Sequence, residues 1–162
     1  MQPESPLVRA LHDLLRARGA TIAVAESLTG GLLGAELTSV AGSSVTFLGG
    51  ITAYATPAKA SLLGVDQALL ARHGAVHPEV AMAMARGVRA RFDATYAVAL
   101  TGVAGPDPQD GTQPGTVHAA FMGPDRDRVR SVQVGGDRGA VRAGAVRCVL
   151  ELALEQLAEP TG

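Results

Sequence analysis

Thr21-Ile22-Ala23-Val24-Ala25-Glu26-Ser27-Leu28-Thr29-Gly30-Gly31 is a short apolar run that ends in a serine and a pair of glycines. Thr21 to Ala25 reads as a buried strand, and Leu32 to Val40, whose apolar residues recur at helical spacing, reads as a helix. A strand feeding a helix through a glycine pair is the unit of an open α/β sheet, where ligands bind beyond the carboxyl ends of the strands. The strand end would fix the Ser27 hydroxyl, and the glycines would let the backbone approach a ligand. The helix N-terminus offers N–H groups and the positive end of a dipole to an anion. The same residues also fit an ordinary strand-to-helix turn with Thr29 as N-cap.

Outward from this turn the α/β pattern continues. Residues 5–18 form an amphipathic helix, with Ser5 as cap, Pro6 at its first position and Gly19 as its stop. Ala41-Gly42-Ser43-Ser44 is a loop in which Ser44 reads locally as a turn hydroxyl, though it is retained as a candidate ligand contact. Val45 to Tyr54 is a second strand, and its Gly49-Gly50 pair predicts a bulge or a close backbone approach. Thr56 then caps a helix with Pro57 at its first position, and Lys59 falls in that first turn. Asp66 opens a short helix ending near His73-Gly74, and His77-Pro78 starts a longer one to about Phe92 with Val80, Met84, Val88 and Phe92 on one face.

Thr95 to Val103 is the clearest buried strand. It runs into a long Gly/Pro/Asp-rich loop, Ala104 to Gly115, of the kind that is often functional. Thr116 to Met122 and Arg128 to Val134 predict an antiparallel hairpin. Gly135-Gly136-Asp137-Arg138 opens a last helix to about Ala158, with Asp137 as cap, before a Pro160-Thr161-Gly162 tail. The expectation is one domain over the 162 residues, with its core at about 5–158.

Composition narrows the function. A formal net charge of −1 gives no electrostatic case for nucleic acid or an anionic membrane. Tyr54, Tyr96, Phe47, Phe92 and Phe121 are the only aromatics, too few for a stacking platform. Cys148 is the only cysteine and sits in an apolar helical pattern, so neither a disulfide framework nor a cysteine zinc site is available. That usage fits a reducing, cytoplasmic setting. Met1-Gln2-Pro3-Glu4 lacks the marks of a signal peptide, and no apolar run has the length of a membrane span. His12, His73, His77 and His118 read as scattered, each a satisfied or solvent-facing histidine rather than a metal ligand. The chemistry read here calls for no cofactor and no metal.

One imbalance is informative. Of fourteen basic residues thirteen are arginine, and Lys59 is the only lysine. Genomic bias toward arginine accounts for the imbalance but not for the exception. A desolvated lysine can lose its proton and act as a base, which arginine cannot. Ser27, Tyr54 and Thr101 all stand at predicted strand ends, with Lys59 just beyond Tyr54. The set supplies a nucleophile, a base and a hydroxyl relay, with amides near Thr29-Gly30-Gly31 to hold an oxyanion. Arg138 in a first helical turn opposes the dipole unless it faces an anion.

Glu26-Ser27-Leu28-Thr29-Gly30-Gly31, Phe47-Leu48-Gly49-Gly50, Tyr54 with Lys59, Leu63-Gly64-Val65, Gly74-Ala75-Val76, Thr101-Gly102-Val103-Ala104-Gly105-Pro106 and Gly136-Asp137-Arg138 occur in one order. Together they resemble the C-terminal domain of the CinA (competence/damage-inducible protein) family over about residues 5–158. The resemblance implies a three-layer α/β/α fold with a mixed, mostly parallel sheet. It also implies hydrolysis of the carboxamide of nicotinamide mononucleotide to nicotinate mononucleotide and ammonia, the activity of the family's stand-alone form. The family's serine, lysine and tyrosine fall on Ser27, Lys59 and Tyr54. Substrate contacts are expected from Glu26, Thr29, Gly30, Gly31, Ser44, Thr101, Gly105 and Arg138. A homo-oligomer is left open.

Two departures stand out: Asp107-Pro108 where relatives usually continue with glycines, and His77-Pro78 where many carry serine. The N-terminal domain of longer relatives is absent from this sequence, which favours the stand-alone amidase. A non-catalytic nucleotide-binding module of the same fold is the alternative. Retention of Ser27, Tyr54 and Lys59 together favours the enzyme, since a binder has no need of a base.

Overall fold

The computed structural model describes residues 3–160; Met1-Gln2 and the Thr161-Gly162 end of the expected tail lie outside the described residues. The chain runs α1 (Pro6–Ala17), β1 (Ile22–Glu26), α2 (Leu32–Thr38), a 3-10 turn (Ser43–Val45) and β2 (Phe47–Thr52). It continues with α3 (Thr56–Leu63), α4 (Gln67–His73), α5 (Pro78–Phe92), β3 (Tyr96–Gly102), β4 (Thr116–Met122), β5 (Asp127–Gln133) and α6 (Arg138–Ala158). The five strands form one sheet in the order β2-β1-β3-β4-β5. β1 pairs in parallel with β2 and β3, while β4 is antiparallel to both its neighbours, so only β4 runs against the rest.

The sheet is covered on both faces, which makes three layers. Strand alternation sorts the side chains. Ile22, Val24, Val98, Leu100, Val117 and Phe121 point toward the cluster that includes α1, α2 and α6. Ala23, Ala25, Ala97, Ala99 and Ala120 point the other way, toward residues of α3, α4 and α5. Large side chains on one face and alanines on the other let α5 lie close to the sheet, where Val80, Ala81, Met84, Ala85 and Val88 are all 0% exposed. Each fully buried Leu, Ile or Phe side chain contributes roughly 1.5–3 kcal/mol. Cys148 is buried in the α6 face of the core. His12 is buried as well; its ring pairs with Thr46 Oγ1 at 2.5 Å and the Leu37 carbonyl at 2.8 Å, tying α1 to α2 and to the entry of β2.

The helix starts follow local chemistry. Asp66, His77 and Asp137 each accept a first-turn amide, from Ala68, Glu79 and Ala140. α3 departs from expectation: Ala55 holds the N-cap position in an extended conformation, and Thr56 is already helical. The Gly49-Gly50 expectation resolves into both alternatives. Leu48 is the extra residue of a bulge between the Ile22–Phe47 and Ala23–Gly49 pairs, and Gly49 sits at φ 141°. A Cβ on Gly50 would lie 2.5 Å from Val24 Cγ2, so the close β1–β2 approach requires glycine there. No helix among the described residues is long and apolar enough to cross a membrane.

Candidate active site

Three strand ends converge on a cavity of about 650 Å³. It is lined by Ser27 and Leu28 after β1, Tyr54 to Thr56 at the start of α3, Thr101 to Gln109 at and beyond the end of β3, Ala75 and Val76 before α5, and Arg138 of α6. Ser27 is fixed by its main chain, whose amide donates to the Leu100 carbonyl at 3.1 Å and so extends the β1–β3 ladder by one residue. The neighbouring ladder extends too, with the Ala53 amide on the Glu26 carbonyl at 2.9 Å. The segment that delivers Lys59 is thereby registered against the segment that delivers Ser27.

Lys59 is 1% exposed. From α3 its side chain turns back toward the sheet, and Nζ donates to Ser27 Oγ at 2.9 Å, to the Ala53 carbonyl at 2.8 Å and to the Tyr54 carbonyl at 3.3 Å. Burial pushes the ammonium down from its usual 10.5 to about 8, because the charged form is poorly solvated there. A neutral amine has two hydrogens and one lone pair. With two carbonyls taking the hydrogens, the lone pair is left for the Ser27 O–H. The pair is thus arranged for proton transfer from serine to lysine.

At the outer side Arg138 bridges two walls. Its Nη1 donates to the Gly105 carbonyl at 2.6 Å and its Nη2 to Tyr54 Oη at 3.2 Å. Tyr54 is 61% exposed. Its hydroxyl meets Arg138 and not the Ser27–Lys59 pair, so the hydroxyl relay expected from the sequence is not formed by Tyr54, whose main-chain carbonyl contacts Lys59 instead. Thr101 is buried and donates to the Ala75 carbonyl at 2.7 Å, fastening the segment before α5 to the end of β3. Asp107, Pro108 and Gln109 form part of the cavity wall, and Gln109 and Thr112 close the loop behind them through two main-chain bonds.

Several expected substrate contacts are elsewhere. Glu26 is 3% exposed, and its carboxylate accepts the Thr29 hydroxyl at 2.6 Å and the Leu33 and Gly34 amides at 2.9 and 3.1 Å. It caps α2, so the helix N-terminus that the sequence offered to an anion is already occupied by the chain's own carboxylate. Thr29, fully buried, serves the same cap. Gly30 donates its amide to the Ser27 carbonyl, and Gly31 at φ 107° makes the turn into α2 that a side chain would strain. None of Glu26, Thr29, Gly30 and Gly31 lines the cavity. Ser44 lies in the 3-10 turn before β2. It is therefore at the entry end of a strand whose parallel partner β1 carries Ser27 at the exit end.

The histidines also need correction. His73 and His77 stand four apart, and the turn at Gly74 folds them together with Glu79, their ligand atoms all within 4.8 Å. The spacing was missed because it spans two helices. The rings are stacked, centroids 3.8 Å apart and 11° from parallel, so their in-plane lone pairs run side by side instead of converging. His77 Nδ1 also accepts the Glu79 amide, which leaves the neutral ring's proton on Nε2. In this arrangement His77 caps α5 and the two rings do not converge on a common point.

Residues 4–157 match the CinA C-terminal domain family. A CinA-like protein of Frankia casuarinae is 54% identical over 145 residues, covering 90% of this chain and 34% of that protein. A CinA-like protein of Gloeobacter violaceus is 43% identical over 152 residues, 92% of this chain and 36% of its own. The chain spans about a third of the length of these relatives. Among solved structures, a CinA superfamily protein from Klebsiella pneumoniae superposes with a TM-score of 0.92 at 34% identity, covering 97% of this chain and 99% of that one. One from Escherichia coli gives 0.90 at 35% identity, covering 96% and 90%.

Proposed function

The chain belongs to the CinA C-terminal domain family, and within it we propose that this protein is a nicotinamide-nucleotide amidase working through Ser27 and Lys59. The observation that carries the reading is the 2.9 Å contact between Lys59 Nζ and Ser27 Oγ, at a buried amine whose other partners are two carbonyls. Neutral Lys59 takes the Ser27 proton as Oγ attacks the carboxamide carbon. The tetrahedral intermediate then collapses as protonated Lys59 gives that proton to the departing nitrogen. Ammonia leaves, and the nicotinoyl group remains as an ester on Ser27. Lys59, neutral again, takes a proton from water, whose oxygen attacks the ester carbon. The proton returns to Ser27 as nicotinate mononucleotide is released.

The rest of the cavity suits such a substrate. Its volume lies in the ordinary range for small-molecule sites. Arg138 gives its rim a guanidinium, the natural partner of a 5′-phosphate. The test is release of ammonia and nicotinate mononucleotide from nicotinamide mononucleotide by the purified protein. Release no faster than that of a Ser27→Ala control overturns the reading.

A further inference from the structure

Arg142 lies one turn into α6, half-buried, and does not line the cavity. Its Nε donates to the Leu28 carbonyl and its Nη2 to the Thr29 carbonyl, both at 3.1 Å. These are the two residues that follow Ser27. Two carbonyls on successive peptide units need two donors in a fixed plane, which a guanidinium supplies and an ammonium does not.

The consequence falls on the other side of each peptide plane. In a trans peptide the carbonyl and the following N–H point in opposite directions, and the cis bond in this chain is Gly105–Pro106. With the Leu28 carbonyl drawn to Arg142, the Thr29 N–H points away from it. The Ser27 carbonyl is likewise drawn inward by the Gly30 amide at 3.1 Å, which turns the Leu28 N–H outward. Leu28 and Thr29 are 4% and 0% exposed, yet neither amide donates to another group among the described residues. Buried N–H groups without a partner are rare in folded proteins. Here two of them directly follow the residue whose hydroxyl meets Lys59.

We propose that Arg142 is a positioning residue: by holding the Leu28 and Thr29 carbonyls it fixes the turn in which the Gly30 amide, on the Thr29–Gly30 peptide, holds the Ser27 carbonyl, and so aims the Leu28 amide, on the cavity wall, at the oxyanion that forms when Ser27 attacks a carbonyl carbon. The proposal rests on Ser27 as nucleophile, but not on the identity of the substrate. Arg142 touches neither the substrate nor Lys59. Its loss should therefore lower kcat while leaving KM and the pH midpoint in place.

The experiment uses Arg142→Ala and Arg142→Lys in the full chain, with two readouts. One is turnover of nicotinamide mononucleotide. The other is the rate at which phenylmethanesulfonyl fluoride sulfonylates Ser27; Oγ bonds to sulfur, fluoride leaves, and the serine proton passes to Lys59. The labelling needs the nucleophile and its donors but no nucleotide. In Arg142→Ala, kcat and labelling should both fall, by about 10²-fold, and millimolar methylguanidinium should restore part of both. Arg142→Lys should retain an intermediate rate with an unshifted pH midpoint, and it serves if the alanine variant does not fold. Wild-type labelling that slows in the variants, in a protein inactive on the nucleotide, supports Arg142 while rejecting that substrate. Unchanged labelling in a folded Arg142 variant overturns the proposal, as does a moved pH midpoint or no labelling of wild-type Ser27.

Discussion

At the floor of the cavity Ser27, and Lys59 behind it, are 7% and 1% exposed, and the lysine nitrogen has three protein partners. At the rim Arg138 is exposed, Tyr54 is 61% exposed, and their contact faces solvent. Both places pair a basic side chain with a hydroxyl. Burial separates them. At the floor it removes water from the ammonium, lowers its pKa and leaves a base. At the rim the guanidinium stays charged at any working pH and can only hold an anion. Substitutions at the floor should therefore act on kcat, and substitutions at the rim on KM.

The largest expected effect is Ser27→Ala, with turnover falling by roughly 10⁴-fold or more and the melting temperature little changed; ammonia release beside a thermal melt checks both. Next comes Lys59. Both Lys59→Arg and Lys59→Ala should lose roughly 10²–10⁴ in kcat, since guanidinium does not give up its proton. A Lys59→Arg variant close to wild type would erase the distinction between floor and rim. At the rim, Arg138→Ala should raise KM by roughly 10–10²-fold, the worth of a charge-assisted hydrogen bond, with kcat nearly kept; steady-state kinetics over a wide substrate range decide it. Tyr54→Phe should have the smallest effect, a few-fold in KM. It removes only the hydroxyl that meets Arg138 and keeps the carbonyl that holds Lys59. A kcat loss as deep as that of Lys59→Ala would mean the hydroxyl acts at the floor after all.

The fold was legible because its signals are side-chain patterns. The runs Ile22–Glu26 and Tyr96–Gly102 are fully buried, and apart from Glu26 and Thr101 at their carboxyl ends they read as nearly continuous apolar stretches. Gly, Pro and Asp punctuate the helices between them. Lys59 was legible because it is the only lysine among thirteen arginines. What escaped is mostly main chain. The carbonyls of Ala53 and Tyr54 that hold Lys59 have no residue signature, so the sequence points to the Tyr54 hydroxyl instead. Glu26 is expected at the substrate and adjoins Ser27 in the chain, yet strand alternation turns it to the opposite side, under α2. Arg142 carries no signal of its own, since an arginine on a helix reads as part of a solvated face. Ser44 shows the remaining ambiguity: a hydroxyl near a strand does not say which end of the sheet it will occupy.

The claim at the centre, that Lys59 is a base tuned by burial, has a direct measurement. With one lysine in the chain, selective ¹⁵N- or ¹³Cε-lysine labelling gives a single side-chain resonance, and its chemical shift can be followed with pH in the free protein. The expected midpoint is about 8, against the ordinary 10.5. The same midpoint should govern kcat/KM, which rises with pH as Lys59 loses its proton and levels off above it. At pH 7 about a tenth of the molecules would then carry the neutral base. A resonance that titrates near 10.5, with a rate profile flat through pH 8, would contradict the assignment and leave Lys59 a permanently charged anchor.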